Sequence, residues 1–153
     1  MIPQKPVTPP VLEDKVREKA RTYPPCFSTV CPLREHCLHA IVVSYAPQEI
    51  YFNTSVNLCH PQAETENCSL YRSDKPVRMP YGLSAIYYDM PSRYERAIKN
   101  RLIAAFSRKR YYEYHNGTRP ITPDVERTIR QVCLDHGWKQ SLHFSGSTDE
   151  YLW

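Results

Sequence analysis

Five of the six cysteines in this 153-residue chain, Cys26, Cys31, Cys37, Cys59 and Cys68, are crowded between positions 26 and 68, with His36, His39 and His60 among them. Only Cys133 lies outside that stretch. Zinc requires four deprotonated soft or borderline donors in a tetrahedron, and two sequence-local groups of ligands usually supply them. Cys26, Cys31 and Cys37, spaced C-x4-C-x5-C, form one group, and Cys68 or Cys59 can close the site from the following loop. An iron–sulfur cluster takes the same four thiolates. Reduced cysteines packed as small hydrophobes, and disulfides or thiol redox chemistry, complete the readings. The spacing is not the C-x2-C of zinc ribbons and fingers, so all of these stay open. His36, His39 and His60 read as surface or capping residues rather than ligands. Cys133 falls on an apolar helical stripe and reads as core.

The surroundings of those thiols narrow their chemistry. No apolar run approaches the roughly 18 residues of a membrane span. The first ten residues, MIPQKPVTPP, contain no apolar core of a secretory signal. The expected compartment is therefore the cytoplasm, where clustered cysteines more often bind metal or do redox work than form disulfides. The length fits one domain, or two small lobes. Twelve Tyr, four Phe and two Trp supply a core despite a mean hydropathy of -0.59. Fourteen Pro against four Gly imply fixed loops rather than flexible linkers.

Along the chain, residues 1–10 read as an extended proline-rich arm. Leu12, Val16 and Ala20 recur at helical spacing and predict a short amphipathic helix over 11–22, stopped by Pro24 and Pro25. Residues 34–45 (REHCLHAIVVSY) fit a helix or a strand. The alternation through Ile50, Phe52, Thr54 and Val56 predicts a half-buried strand over 50–58. Residues 71–81 read as a basic, proline-punctuated connector, and 82–90 as a strand or short helix.

Ser92 and Glu95 have capping-box spacing for a helix over 93–106. Residues 107–115 (SRKRYYEYH) read as a basic-aromatic turn or short helix, closed by Asn116-Gly117. Thr122, Pro123 and Asp124 open a last helix whose stripe is Val125, Ile129, Val132 and Cys133, with Gly137 as its left-handed end. Residues 140–153 form a tail whose terminal Trp153 would be costly to leave exposed.

Charge points to a partner. The net charge is +4, but from position 92 to 139 eleven Lys and Arg face five Asp and Glu, giving +6 and leaving about -2 elsewhere. Such a local basic excess suggests an anionic ligand. Arg108, Lys109 and Arg110 beside Tyr111 and Tyr112, with Arg119 beyond, suit phosphate contact plus base stacking. The competing reading is a solvated basic face over core tyrosines. No nucleophile–base motif, phosphate-cradling glycine loop or H-E-x-x-H occurs, which argues against a hydrolytic enzyme.

Two resemblances add to this. Ser107 opening a basic segment, a packing Tyr111 or Tyr112, Asn116-Gly117 and Pro120 resemble the recognition-helix half of repressor-like helix-turn-helix proteins. That resemblance implies base-edge contacts from Arg108, Lys109 and Arg110. Across nearly the whole chain, a second set of landmarks recurs. These are Cys26, Cys31 and Cys37-Leu38; Cys68 to Arg72; Asp74 to Arg78; and Gly82 and Met90-Pro91. They continue through Arg101 to Phe106, Tyr111-Tyr112 to Gly117, Pro123 to Ile129, and Asp149 to Trp153.

Together these resemble an uncharacterised bacterial family of unknown function. In that family Cys59 looks additional, which implies Cys26, Cys31, Cys37 and Cys68 as the four-thiol set and leaves Cys59 as a competing ligand.

The reading is a mainly helical α+β protein forming one domain over 1–153. A cysteine-rich lobe over 1–90, with a short strand region, packs on a helical basic lobe over 91–139, and an aromatic tail covers 140–153. The expected function is a non-enzymatic, metal-stabilised nucleic-acid-binding or regulatory protein, with zinc as the metal and DNA or RNA as the partner. An iron–sulfur or thiol redox protein and a metal-free protein-interaction module are the alternatives.

Overall fold

The computed structural model describes residues 10–153, so all but the last residue of the arm expected over 1–10 lies outside it, and Pro10 belongs to a helix. The protein is α+β and mainly helical. Its described residues divide into two compact units, one running to Pro76 and regaining Tyr151–Trp153, the other spanning Val77–Glu150. Residues 77–90, grouped by sequence with the cysteine-rich stretch, belong to the second unit.

In unit 1 the helix α1 (Pro10–Lys19) ends before Pro24 and Pro25. Leu12 and Val16 are buried, four residues apart on one face, and pack with Leu38, Ile41, Val42 and Tyr45. Full burial of such side chains stabilises by about 1.5–3 kcal/mol each. The ambiguous 34–45 stretch is helical in three short pieces. A 3-10 turn over Arg34–His36 leads into α2 (Leu38–Ile41), and a second 3-10 turn covers Val42–Tyr45.

Tyr151 is buried in the same cluster. Trp153 packs edge-on against both Tyr23 and Tyr151, so the terminal tryptophan is partly covered, as its size demands.

The strand expected over 50–58 does not form. Alternation alone cannot hold a strand without a partner ladder. The segment is irregular instead, and Tyr51 and Phe52 are each 93% exposed.

Unit 2 is framed by one antiparallel pair, β1 (Val77–Tyr81) and β2 (Gly146–Glu150), in the register Val77↔Glu150 to Tyr81↔Gly146. Pro80 is tolerated because a two-stranded ribbon has only edges. Gly82 follows at φ 77°, where an added Cβ would collide with the Ser145 side chain. A 3-10 turn over Leu83–Tyr87 then leads into three helices, α3 (Ser92–Phe106), α4 (Arg108–His115) and α5 (Pro123–Asp135).

Ile98, Leu102, Tyr111, Ile121, Ile129 and Cys133 interlock at the centre of this unit with almost no exposure. The expected capping box at Ser92 is absent. Pro91 takes the N-cap position and no side chain accepts from the first turn. The cap at Thr122 does form, with its side chain accepting from the Val125 N–H. Gly137 ends α5 at φ 84°.

Candidate functional site

In unit 1 four of the five clustered cysteines reach one place. Cys26, Cys31, Cys37 and Cys68 line a single cavity with His39, Glu64 and an apolar wall that includes Leu33, Val56 and Leu70. About 20 Å³ of it is open to the centre of a water-sized particle, room for one water or ion.

Local hydrogen bonds bring these residues together. The loop carrying Cys26 and Cys31 folds around Ser28, only 2% exposed, whose Oγ accepts from the Val30 and Cys31 N–H groups and donates to Glu64. The Ser28 carbonyl accepts from Arg34. Cys26 N–H donates to the His39 carbonyl at 2.7 Å, and Val56 N–H donates to Pro25.

The second half of the site is zipped on by backbone pairing. Cys37 bridges Ser73, while Leu38 N–H donates to Arg72 and Asp74 N–H to His36. The exposed His36 ring and Asp74 carboxylate meet at 3.0 Å over the same junction. Cys68 precedes that ladder by one turn, its carbonyl accepting from Tyr71 N–H.

His39 lines the cavity but is engaged. Its Nδ1 lies 2.6 Å from the Pro24 carbonyl, which can only accept, so Nδ1 carries the proton. Its other ring nitrogen lies 3.0 Å from the Tyr23 hydroxyl. Burial pushes the Tyr23 hydroxyl up to about 12, against an opposing pull from Arg72.

Cys59 is exposed and does not line the cavity, and His60 is equally exposed. Cys133 is buried in the unit 2 core, where burial pushes its thiol up to about 11.

All six cysteines are free thiols. Burial chiefly pushes the Cys26 thiol above its ordinary range, a backbone hydrogen bond at Ser28 pulls it down, and Cys37, Cys31 and Cys68 each push it up further. Cys26 therefore lies within electrostatic reach of the other three. Among the described residues, however, no three or more His, Cys, Asp or Glu side chains are gathered as a held ion would require. The donors are right for zinc in kind and number. Binding would need the four sulfurs to draw in until each stood about 2.3 Å from the ion.

Ser28 and Glu64 were not singled out from sequence. The Ser two and three residues ahead of Val30 and Cys31 is a turn spacing that could have flagged the first. Glu64 sits at φ 59°, a left-handed conformation that nothing in its residue type announces.

In unit 2 the basic segment becomes α4, joined to α3 by Ser107 alone, at φ 71° and ψ 156°. A helix-turn-helix joins its helices through three or four residues. Arg108, Lys109 and Arg110 are exposed and make no ion pair within the described residues. Arg119 pairs instead with Glu113 at 2.8 Å, and that bond chiefly holds the Glu113 carboxyl below its ordinary range. Tyr111 is fully buried and its hydroxyl donates to Tyr87. Tyr112 is half-buried, with Lys99 and Arg108 both 5.9 Å from its ring centre.

No helix among the described residues is long and apolar enough to cross a membrane. No curated protein and no solved structure matches the chain. One family does match, over residues 12–153, nearly the whole length. The chain belongs to that family, DUF6078, a family of unknown function.

Proposed function

We propose that this is a non-enzymatic protein whose first unit is stapled by one zinc ion on Cys26, Cys31, Cys37 and Cys68. The observation that carries this reading is their shared cavity, assembled from three loops out of a stretch that also holds a fifth cysteine left outside. Small structures short of core gain folding free energy from a structural metal. Unit 1, with its irregular 46–70 segment, has that need.

The test is elemental analysis with a visible absorption spectrum, on protein purified without a metal-affinity tag. About one zinc per chain, lost together with folding of unit 1 in Cys26→Ser or Cys68→Ser but retained in Cys59→Ser, is the expected result. Iron with sulfide would replace this reading with the redox one. Absence of any metal, with the fold intact, would reduce the four thiols to packing and favour a metal-free interaction module.

A second observation supports nucleic acid as the partner, in a binding or regulatory role. Three consecutive cations occupy the first turn of α4, which contains no acidic residue and no side-chain cap. Cations there oppose the helix dipole and lower stability. A local rule broken at three successive positions points to residues kept for binding. Salt-sensitive binding of DNA or RNA, weakened by neutralising those three residues, is the expected outcome.

A further inference from the structure

Accepting the nucleic-acid reading of unit 2, we infer that the partner is a double helix met through its phosphate backbone, without base stacking and without reading of base edges. Stacking requires an open aromatic face. On α4 there is none to spare. Tyr111 is fully buried and hydrogen-bonded to Tyr87, and Tyr114 is buried edge-on against Phe106. The remaining ring, Tyr112, already has two cations from different helices near it, Lys99 of α3 and Arg108 of α4.

That arrangement does something else. Two like charges converge on one ring, and neither has a carboxylate partner within the described residues. With exposed Lys109 and Arg110 following Arg108 in sequence, four cations from two elements gather around the start of α4. Such a cluster suits the closely spaced phosphates of a duplex.

Base-edge reading asks for a helix that can lie along the major groove and present several residues of one face. Here only residues 108–110 are exposed, while positions 111–115 are buried or half-buried. The helix offers its end, not its side. Glu113 and Arg119, paired to one another, neutralise the surface where a longer recognition face would continue.

Engagement of about four phosphates gives a salt slope of about −3.6, so affinity should fall roughly a hundredfold over a fourfold rise in salt. The experiment is fluorescence anisotropy of the full chain against a short labelled duplex, its two separated strands, and a second duplex of unrelated sequence.

Expected are duplex binding tighter than either strand, near-equal affinity for both duplexes, and about a tenfold or greater loss in the double variant K109A/R110A. Both residues are exposed, and unchanged thermal melting will confirm that the variant is folded. Strands bound more tightly than duplex would overturn the inference and leave the nucleic-acid reading standing. So would a tenfold or larger preference between the duplexes. Binding to none of the three, or binding indifferent to salt, would remove the nucleic-acid reading itself and the inference with it.

Discussion

Replacing Ser107 by glycine should stabilise the protein, although glycine ordinarily weakens the interior of a helix. Ser107 stands between α3 and α4 at φ 71° and ψ 156°. That combination is reached almost only by glycine and costs other residues of order 1–3 kcal/mol. The serine recovers nothing locally, since its side chain makes no capping hydrogen bond and the residue is exposed. Glycine removes the strain but gives the unfolded chain more freedom, a loss of about 0.4–1 kcal/mol.

The net gain in S107G should be about 1 kcal/mol, or about 2–4 °C in Tm for a chain of this length. Urea unfolding followed by circular dichroism measures it directly. S107A keeps the Cβ that causes the strain and should stay within about 0.5 kcal/mol of the parent. If the glycine variant melts at or below the parent temperature, or the alanine variant gains as much, the strain argument fails.

Three further outcomes follow from the same packing. Ile129→Ala, at a site with no exposure, should cost about 2–5 kcal/mol; a loss under about 1 kcal/mol would mean that the unit 2 core is loosely packed. Thr122→Ala should cost about 0.5–1 kcal/mol through the lost cap, whereas Ser92→Ala should cost almost nothing; equal losses would contradict the capping described above.

The Glu113 carboxyl is held low chiefly by Arg119. Its stabilising contribution should be complete above the ordinary carboxylate pKa of about 4.3 and disappear as pH falls through the lowered folded value. Arg119→Gln should return the Glu113 titration, followed by NMR, toward that ordinary value; an unmoved midpoint would show that the pair does not act.

The parts of this fold written in short-range order were legible. The stripe Val125, Ile129, Val132 and the signals Thr122, Pro123 and Gly137 all act within one or two turns, and α5 follows them. The ladder was not legible. Gly146–Glu150 is GSTDE, polar and without alternation, and becomes a strand only because β1 reaches it from across unit 2. The reverse error, at 50–58, has the same origin, since alternation there finds no partner.

Pro91 pre-empted the capping box at Ser92 because its fixed φ already sets the helix entry. At the candidate metal centre, clustering in sequence and the family resemblance singled out the cysteines. Their convergence depends on the Ser28 turn and the Cys37–Ser73 bridge, neither of which spacing reveals. In α4 the cations are exposed. Of the two readings of the tyrosines beside them, Tyr111 and Tyr114 follow the core one, while half-buried Tyr112 lies near Lys99 and Arg108.

The register of the β1–β2 ladder shows how the chain is shared between the two units. Val77 and Glu150, the first and last residues of unit 2, are direct partners, so the chain leaves that unit beside the point where it entered. Unit 2 is thus an insertion whose two ends are already joined, and its β1–β2 ladder and its three helices all lie within residues 77–150. Unit 1 takes in Tyr151 and Trp153, which supply buried and half-buried aromatic surface to a cluster begun at Leu12. Domains emerging during synthesis ordinarily fold from the N-terminus onward. Here the inner unit is continuous in sequence, whereas the cysteine-bearing unit that precedes it draws on chain from both sides of the insertion.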